Sequence, residues 1–226
     1  MSAKRLIVIV EGYSEIEFVN QILKPYFYTK QIFDISVFQI KSSKGGLSKY
    51  NHLKTDILNC IYQPNTIITT LIDFYGLPID FPQFPESQKI SNNEQKVDFL
   101  EQAVKQELET SQNQKFENFI PYIQLHEFEA LIFSDEESIY SNIEECKINK
   151  PEIKKIFNEF KNPEEINNDP NTAPSKRLLK NIKGYDKVQD GVLILQGVGL
   201  DKILEKCPRF ASWLNKITKN AKRELC

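Results

Sequence analysis

The chain of 226 residues predicts an α/β fold, a mostly parallel sheet with helices on both faces, followed by a helical C-terminal subregion. Three observations carry this reading. Two β-branched apolar runs, residues 4–10 and 66–72, are too short for helices and apolar enough to be buried on both faces. Stretches of helical periodicity separate the strand-like runs, and alternating β and α elements favour parallel strands joined by crossovers. A composition of 40% hydrophobic residues with 8 glycines excludes disordered and collagen-like chains.

Residues 4–10 stop at Glu11 and Gly12. Ser14 then begins a helix, because Ser14 and Glu17 have capping-box spacing and Ile16, Val19, Ile22, Leu23, Tyr26 and Phe27 recur at helical intervals. Residues 33–40 read as a second strand, followed by a polar, glycine-containing loop at 41–46 and a helical stretch at 47–62. Pro64 and Asn65 break the chain before the third strand, 66–72, which ends at Asp73. Residues 76–93 hold Pro78, Pro82 and Pro85 and cannot sustain a regular helix, whereas 94–110 resume a helical pattern. Residues 119–133 are largely apolar and are expected to contain a strand, with a polar insert at His126, Glu127 and Glu129; Ser134 and Asp135 signal a helix start.

Beyond residue 146 the texture changes to short helical patterns punctuated by Pro163, Pro170, Pro174 and Pro208. The expected organisation is an α/β unit over residues 1–146 and a basic helical subregion over 147–226 packed on it. Charge divides at the same place: residues 1–146 carry 12 Lys and Arg against 21 Asp and Glu, and residues 147–226 carry 17 against 10. That split suits an acidic part to cations and a basic part to polyanions, with ordinary solvated surfaces as the competing reading. Cys60, Cys146, Cys207 and Cys226 are widely spaced without a CxxC pair and read as reduced thiols. The longest apolar run, residues 6–10, is far below the roughly 20 residues of a membrane helix. A cytoplasmic protein with no membrane partner is the expectation.

In an open parallel sheet ligands collect where strands emerge at their carboxyl ends, and Glu11 and Asp73 both occupy such exits. If the first and third strands are neighbours the two carboxylates converge, and hard oxygen ligands with room for water suit Mg²⁺ or Mn²⁺. The competing reading pairs Glu11 with a lysine or arginine and leaves Asp73 to cap a turn. Glu15, one helical turn beyond Glu11, is a further candidate ligand, although the helix dipole favours acids there regardless of function. In a strand Glu127 and Glu129 would share one face and His126 the other; with Asp135 they form a second group of candidates. Lys176, Lys180, Lys183 and Lys187 follow at spacings of four, three and four, one helical face if the helix continues through Gly184. With Arg177 they suit phosphate-backbone contacts, or simply a solvated face.

The segments V-E-G-Y-S-E from Val10, L-I-D-F-Y-G from Leu71 and H-E-F-E-A-L-I-F-S-D from His126, with A-P-S-K-R from Ala173, are spread over most of the chain. Together they resemble a Toprim-like bacterial family, the domain of unknown function numbered 4276. Toprim domains occur in topoisomerases, primases and overcoming-lysogenization-defect nucleases. The resemblance implies that Glu11 stands for the glutamate after the first strand and Asp73 for the first aspartate of the later motif, both holding Mg²⁺ for phosphoryl transfer. The usual second aspartate is Tyr75 here, so Glu15, Glu127 or Glu129 would have to substitute. The resemblance further implies a late lysine near the scissile phosphate, for which Lys176 is the candidate, and an ABC- or SMC-type ATPase partner in bacterial defence.

The expected activity is Mg²⁺-dependent hydrolysis of DNA or RNA, with Glu11, Asp73 and Lys176 as catalytic residues, Glu15 and Glu127 as further metal ligands, and Lys176, Arg177 and Lys180 on nucleic acid. The alternative is a non-catalytic binding or regulatory subunit on the same scaffold. A receiver-like phosphoacceptor fits less well because Gly12, not a second acid, follows Glu11, and Gly197-Val198-Gly199 lacks the third glycine of a dinucleotide fingerprint. Oligomeric state is left open.

Overall fold

The computed structural model describes residues 4–41, 46–166 and 169–222. The expected loop at 41–46 falls mostly outside these residues, as does Cys226. Strand β1 (Arg5–Val10) leads into helix α1 (Tyr13–Phe18), a π-helical turn at Val19–Leu23 and helix α2 (Lys24–Thr29). The wide turn precedes Pro25, which has no N–H to donate and whose ring would meet the carbonyl four residues back in a regular α-helix. The expected capping box is absent: Gly12 is the N-cap, Ser14 lies inside α1, and no side chain caps the helix. Glu17 instead accepts a bond from Gln21 Nε2 at 2.6 Å.

Strand β2 (Ile35–Gln39), helix α3 (Tyr50–Ile61) and strand β3 (Thr66–Asp73) complete the alternation. A 3-10 turn (Phe74–Gly76) and the short helix α4 (Phe84–Ser87) interrupt the proline-rich stretch before helix α5 (Asn93–Gln112). Asn92 caps α5 by accepting from the Gln95 amide at 2.9 Å, and left-handed Asn113 ends it.

Five strands form one parallel sheet ordered β2-β1-β3-β4, with β5 also on β3; β4 is Phe119–Ile120 and β5 is Ile123–Gln124. Side-chain alternation along β1 divides the core between two faces. Leu6, Val8 and Val10 pack with Phe18, Val19 and the C-terminal helices, while Ile7 and Ile9 pack with Leu53 and Ile57 of α3 and Val97 and Leu100 of α5. The fold is therefore α/β with helices on both faces of the sheet.

The strand expected within residues 119–133 is met by β4 and β5, and the polar insert that follows them is not strand. His126 adopts a left-handed conformation, φ 62°, and turns the chain into a buried 3-10 segment, Phe128–Ser134. Glu127 and Glu129 consequently do not share a strand face. Asp135 caps helix α6 (Glu136–Asn142), in agreement with the helix-start signal.

The remaining described residues form α7 (Lys150–Glu159), α8 (Pro174–Asn181), α9 (Gln189–Val198), α10 (Leu200–Lys206) and α11 (Pro208–Lys222). Helix α8 stops before Gly184, whose φ is 74°, so the lysines from 176 to 187 do not make one helical stripe. α11 is welded to the sheet: Trp213 Nε1 donates to Thr69 Oγ1 at 2.7 Å and its ring stacks on Tyr122 at 4.3 Å. Arg209 donates to the Ile123 carbonyl and pairs with Asp98 and Glu101. Residues from both halves of the chain thus share one core. Cys60, Cys146 and Cys207 are free thiols, and among the described residues no helix is long and apolar enough to cross a membrane.

Candidate functional site

Parallel pairing of β1 with β3 sets Val10 opposite Leu71, so Glu11 and Asp73 leave neighbouring strands at nearly the same level. Glu11 is 8% exposed. Its Oε2 accepts from the Asp73 amide at 3.1 Å and its Oε1 from the Leu47 amide at 3.2 Å. Asp73 Oδ1 accepts from the Phe128 amide at 2.9 Å. Among the described residues neither carboxylate is paired with a lysine or arginine.

Helix α1 brings Glu15 back toward the strand ends, where it too is 8% exposed. Glu129, on the 3-10 segment, completes the group and pairs with Lys187 Nζ at 2.7 Å. Burial pushes the Glu11 carboxyl above its usual range despite the two amide bonds, and Glu129 adds to the rise. Burial likewise pushes Glu15 up to about 7, with repulsion from Glu129 and Glu11 contributing. Asp73 is raised well above the ordinary aspartate value by burial first and then by Glu15, Glu11, Glu129 and Glu127. Lys187 is the nearby cation; burial works against its charge, but Glu129, Glu127 and Asp73 outweigh it and raise its pKa. Several carboxyls therefore crowd one buried region with Lys187 beside them, and their raised pKa values favour protonation or a bound cation over free negative charge.

The other expected residues have separate surroundings. Glu127 Oε2 accepts from the Ser175 amide at 2.8 Å, in the first turn of α8. Lys176, next in sequence, and Lys180 are exposed. Arg177 is engaged within the fold: its Nε donates to the Thr172 carbonyl at 2.7 Å and its guanidinium lies 5.1 Å from the Phe160 ring centroid. Asp135 caps α6 and pairs with Lys202 at 2.7 Å, which with the Ser138 bonds outweighs burial and lowers its pKa. Lys187–Glu129, Lys202–Asp135 and Arg209–Asp98 all join the basic half to the acidic half, so part of the charge split is used internally.

His126 is 1% exposed, and among the described residues neither ring nitrogen has a hydrogen-bond partner. Burial, aided by Lys96, pushes the imidazole down to about 4. The Tyr75 ring lies 5.2 Å from it, and the Tyr75 amide donates to the His126 carbonyl at 3.2 Å. Tyr75 thus lies against His126 at the position where a second aspartate would complete an Asp-x-Asp pair.

Two contributors were missed by sequence reasoning. A Cβ at Gly76 would stand 2.8 Å from Glu11 Oε2 and closer still to Oε1, so only glycine admits the buried carboxylate. Its signal was present in Asp73-Phe74-Tyr75-Gly76, a glycine one turn after a strand end. Lys187 was grouped with a surface stripe, and no local pattern ties it to Glu129, which is 58 residues earlier. As a test for a hard divalent cation, the donor set fits in chemistry and charge: carboxylate oxygens in excess of cations. Among the described residues, however, no three of these side chains stand grouped as ready metal ligands.

Parallel sheet and buried acids at its carboxyl edge define an α/β protein with an acidic site at the ends of β1 and β3. Its sequence matches the family model described as domain of unknown function DUF4276 over residues 10–218, and the chain belongs to that family. No curated protein and no solved structure gives a significant match.

Proposed function

We propose that this chain is a divalent-metal-dependent nuclease of Toprim-like design, hydrolysing phosphodiester bonds in DNA or RNA in the cytoplasm. One observation carries the reading: Glu11, Glu15, Asp73 and Glu129 share a buried site with Lys187 as the opposing cation. Glu11 and Asp73 would hold Mg²⁺ or Mn²⁺, with Glu15 as a further oxygen donor. The bound ion would supply Lewis-acid activation of water and charge stabilisation at the phosphate. The amides of Asp73 and Leu47 fix the Glu11 carboxylate, and Phe128 fixes Asp73, so neither needs to reorganise. Lys176, exposed beside the Glu127–Ser175 contact, would meet the substrate backbone. An ABC- or SMC-type ATPase partner in bacterial defence belongs to the same proposal and rests on the family resemblance alone.

The test is cleavage of DNA and RNA by the full chain with Mg²⁺ or Mn²⁺, with and without a neighbouring ATPase. The expected result is activity that Glu11→Ala abolishes. Tyr75 against His126 and the lack of a grouped ligand set favour a second reading, a non-catalytic subunit on the same scaffold. Calorimetry with Mn²⁺ separates them: no divalent binding alongside retained nucleic-acid or ATPase binding would select the second.

A further inference from the structure

We propose that the cleft between the Phe74–Gly76 turn and the N-terminus of α5 is a nucleotide site. In it Lys96 takes the phosphate, Phe74, Tyr75 and Phe84 flank the base, and His126 reads its edge. The cleft has a volume of about 450 Å³ and is lined by these five residues together with Gln88 and others. This is within the range of small-molecule sites, roughly 300–1,000 Å³.

Four features of the cleft support this assignment. Helix α5 is 20 residues long and starts at this cleft, so its positive dipole end favours an anion there. Lys96, in its first turns, stands 5.8 Å from the Phe74 ring centroid and adds a full positive charge. Phe74, Tyr75 and Phe84 supply aromatic surface for a planar ring. His126 supplies the observation that points to a ligand. It is almost wholly buried, forms part of the cleft wall, and has no partner for either nitrogen among the described residues. Buried polar groups are normally satisfied, and a neutral imidazole offers a donor on one side of the ring and an acceptor on the other, either of which a polar base atom complements. Its left-handed backbone, uncommon outside glycine, is held by the fold at a cost, as occurs at ligand sites.

The cleft is joined to the acidic site through a single turn. Asp73 faces the carboxylates, while the next two residues, Phe74 and Tyr75, line the cleft. A nucleotide held here would be a neighbour of the phosphate being cleaved; that placement rests on the nuclease reading, but occupancy of the cleft does not.

The experiment measures binding to the full chain in EDTA by calorimetry, using adenosine 5′-monophosphate, adenosine, ribose 5-phosphate and a single-stranded pentanucleotide. Adenosine 5′-monophosphate is expected to bind saturably and more tightly than either fragment. Lys96→Gln should weaken it about tenfold, a change of about 1.4 kcal/mol, while leaving adenosine unchanged. His126→Asn, which tolerates the left-handed backbone, should weaken both. Tighter binding of the pentanucleotide identifies a strand as the source, and equal binding identifies free nucleotide; either supports the site. No saturable binding of mononucleotide or pentanucleotide overturns it, as does Lys96→Gln leaving every affinity unchanged, a variant at a partly exposed position that keeps the test valid if His126→Asn fails to fold. Cleavage with Mg²⁺ but no such binding removes the cleft and spares the nuclease reading; binding without cleavage does the reverse.

Discussion

The carboxylate of Glu11, the residue after β1, accepts a hydrogen bond from the backbone amide of Asp73, which ends β3, at 3.1 Å. Two strands adjacent in the sheet are thereby tied at their carboxyl ends by residues 62 apart in sequence. The bond orients Glu11 without neutralising it, and the Asp73 side chain remains beside further acids.

Asp73→Asn is expected to stabilise the protein. Asparagine keeps an oxygen to accept the Phe128 amide and removes a buried charge that burial and four carboxylates disfavour. Thermal melting at pH 8 in EDTA should show a gain of about 1–2 kcal/mol. The same variant should lose any Mg²⁺-dependent rise in Tm. A loss of stability in EDTA would mean that the Asp73 charge is neutralised in the fold.

Gly76→Ala should destabilise by about 1–3 kcal/mol and abolish the proposed metal binding, because its Cβ would displace the Glu11 carboxylate from its two amide donors. Gly76 does not have a positive φ, so sterics alone are responsible. Urea unfolding measures the first effect and Mn²⁺ calorimetry the second; an unchanged midpoint would show that Glu11 has room to move.

Glu15 governs a pH dependence. Its folded pKa is raised from 4.5 to about 7, so the folded state holds a proton that the unfolded chain releases earlier. The stabilising contribution is complete below about 4.5 and is lost as pH rises through about 7, by at most about 1.4 kcal/mol per pH unit for one group. His126, lowered to about 4, acts in the opposite sense as pH falls below its ordinary value of 6.5. Comparison with Glu15→Gln isolates the first effect: the variant should gain on wild type steadily from pH 4.5 to 7.5 in EDTA. Parallel curves would refute the raised pKa.

Lys187→Met removes the cation facing Glu129, whose side chain is 6% exposed whereas that of Lys187 is 46% exposed. Solvent screening at the lysine reduces the loss from that of a fully buried pair to about 1–2 kcal/mol at pH 8. With its competitor gone, Mn²⁺ should bind more tightly by calorimetry. Unchanged Mn²⁺ binding would place Lys187 outside the cation's field.

Arg209→Met tests how the C-terminal helices are held. It leaves Glu101 buried and unpaired and frees the Ile123 carbonyl, for a cost of about 3–5 kcal/mol. One cooperative melting transition at lower temperature is expected; two transitions would show that the last helices unfold independently.

The α/β class, the extents of β1 and β3, the long α5 helix and the position of Asp135 as a cap were all determined by the sequence itself. Each rests on local information: β-branched runs buried on both faces, 3.6-residue periodicity and a side chain that bonds to nearby amides. The convergence of Glu11 and Asp73 followed only conditionally, on strand order. Tertiary structure decided that order and drew in Glu15, Glu129 and Lys187. It also placed a left-handed turn at His126 and a 3-10 segment after it, splitting Glu127 from Glu129, and ended the lysine stripe at α8. The physical reason is common to these cases. Which charges meet depends on sheet order and on the packing of distant helices, and their pKa values depend on burial, neither of which leaves a periodic trace in a single chain.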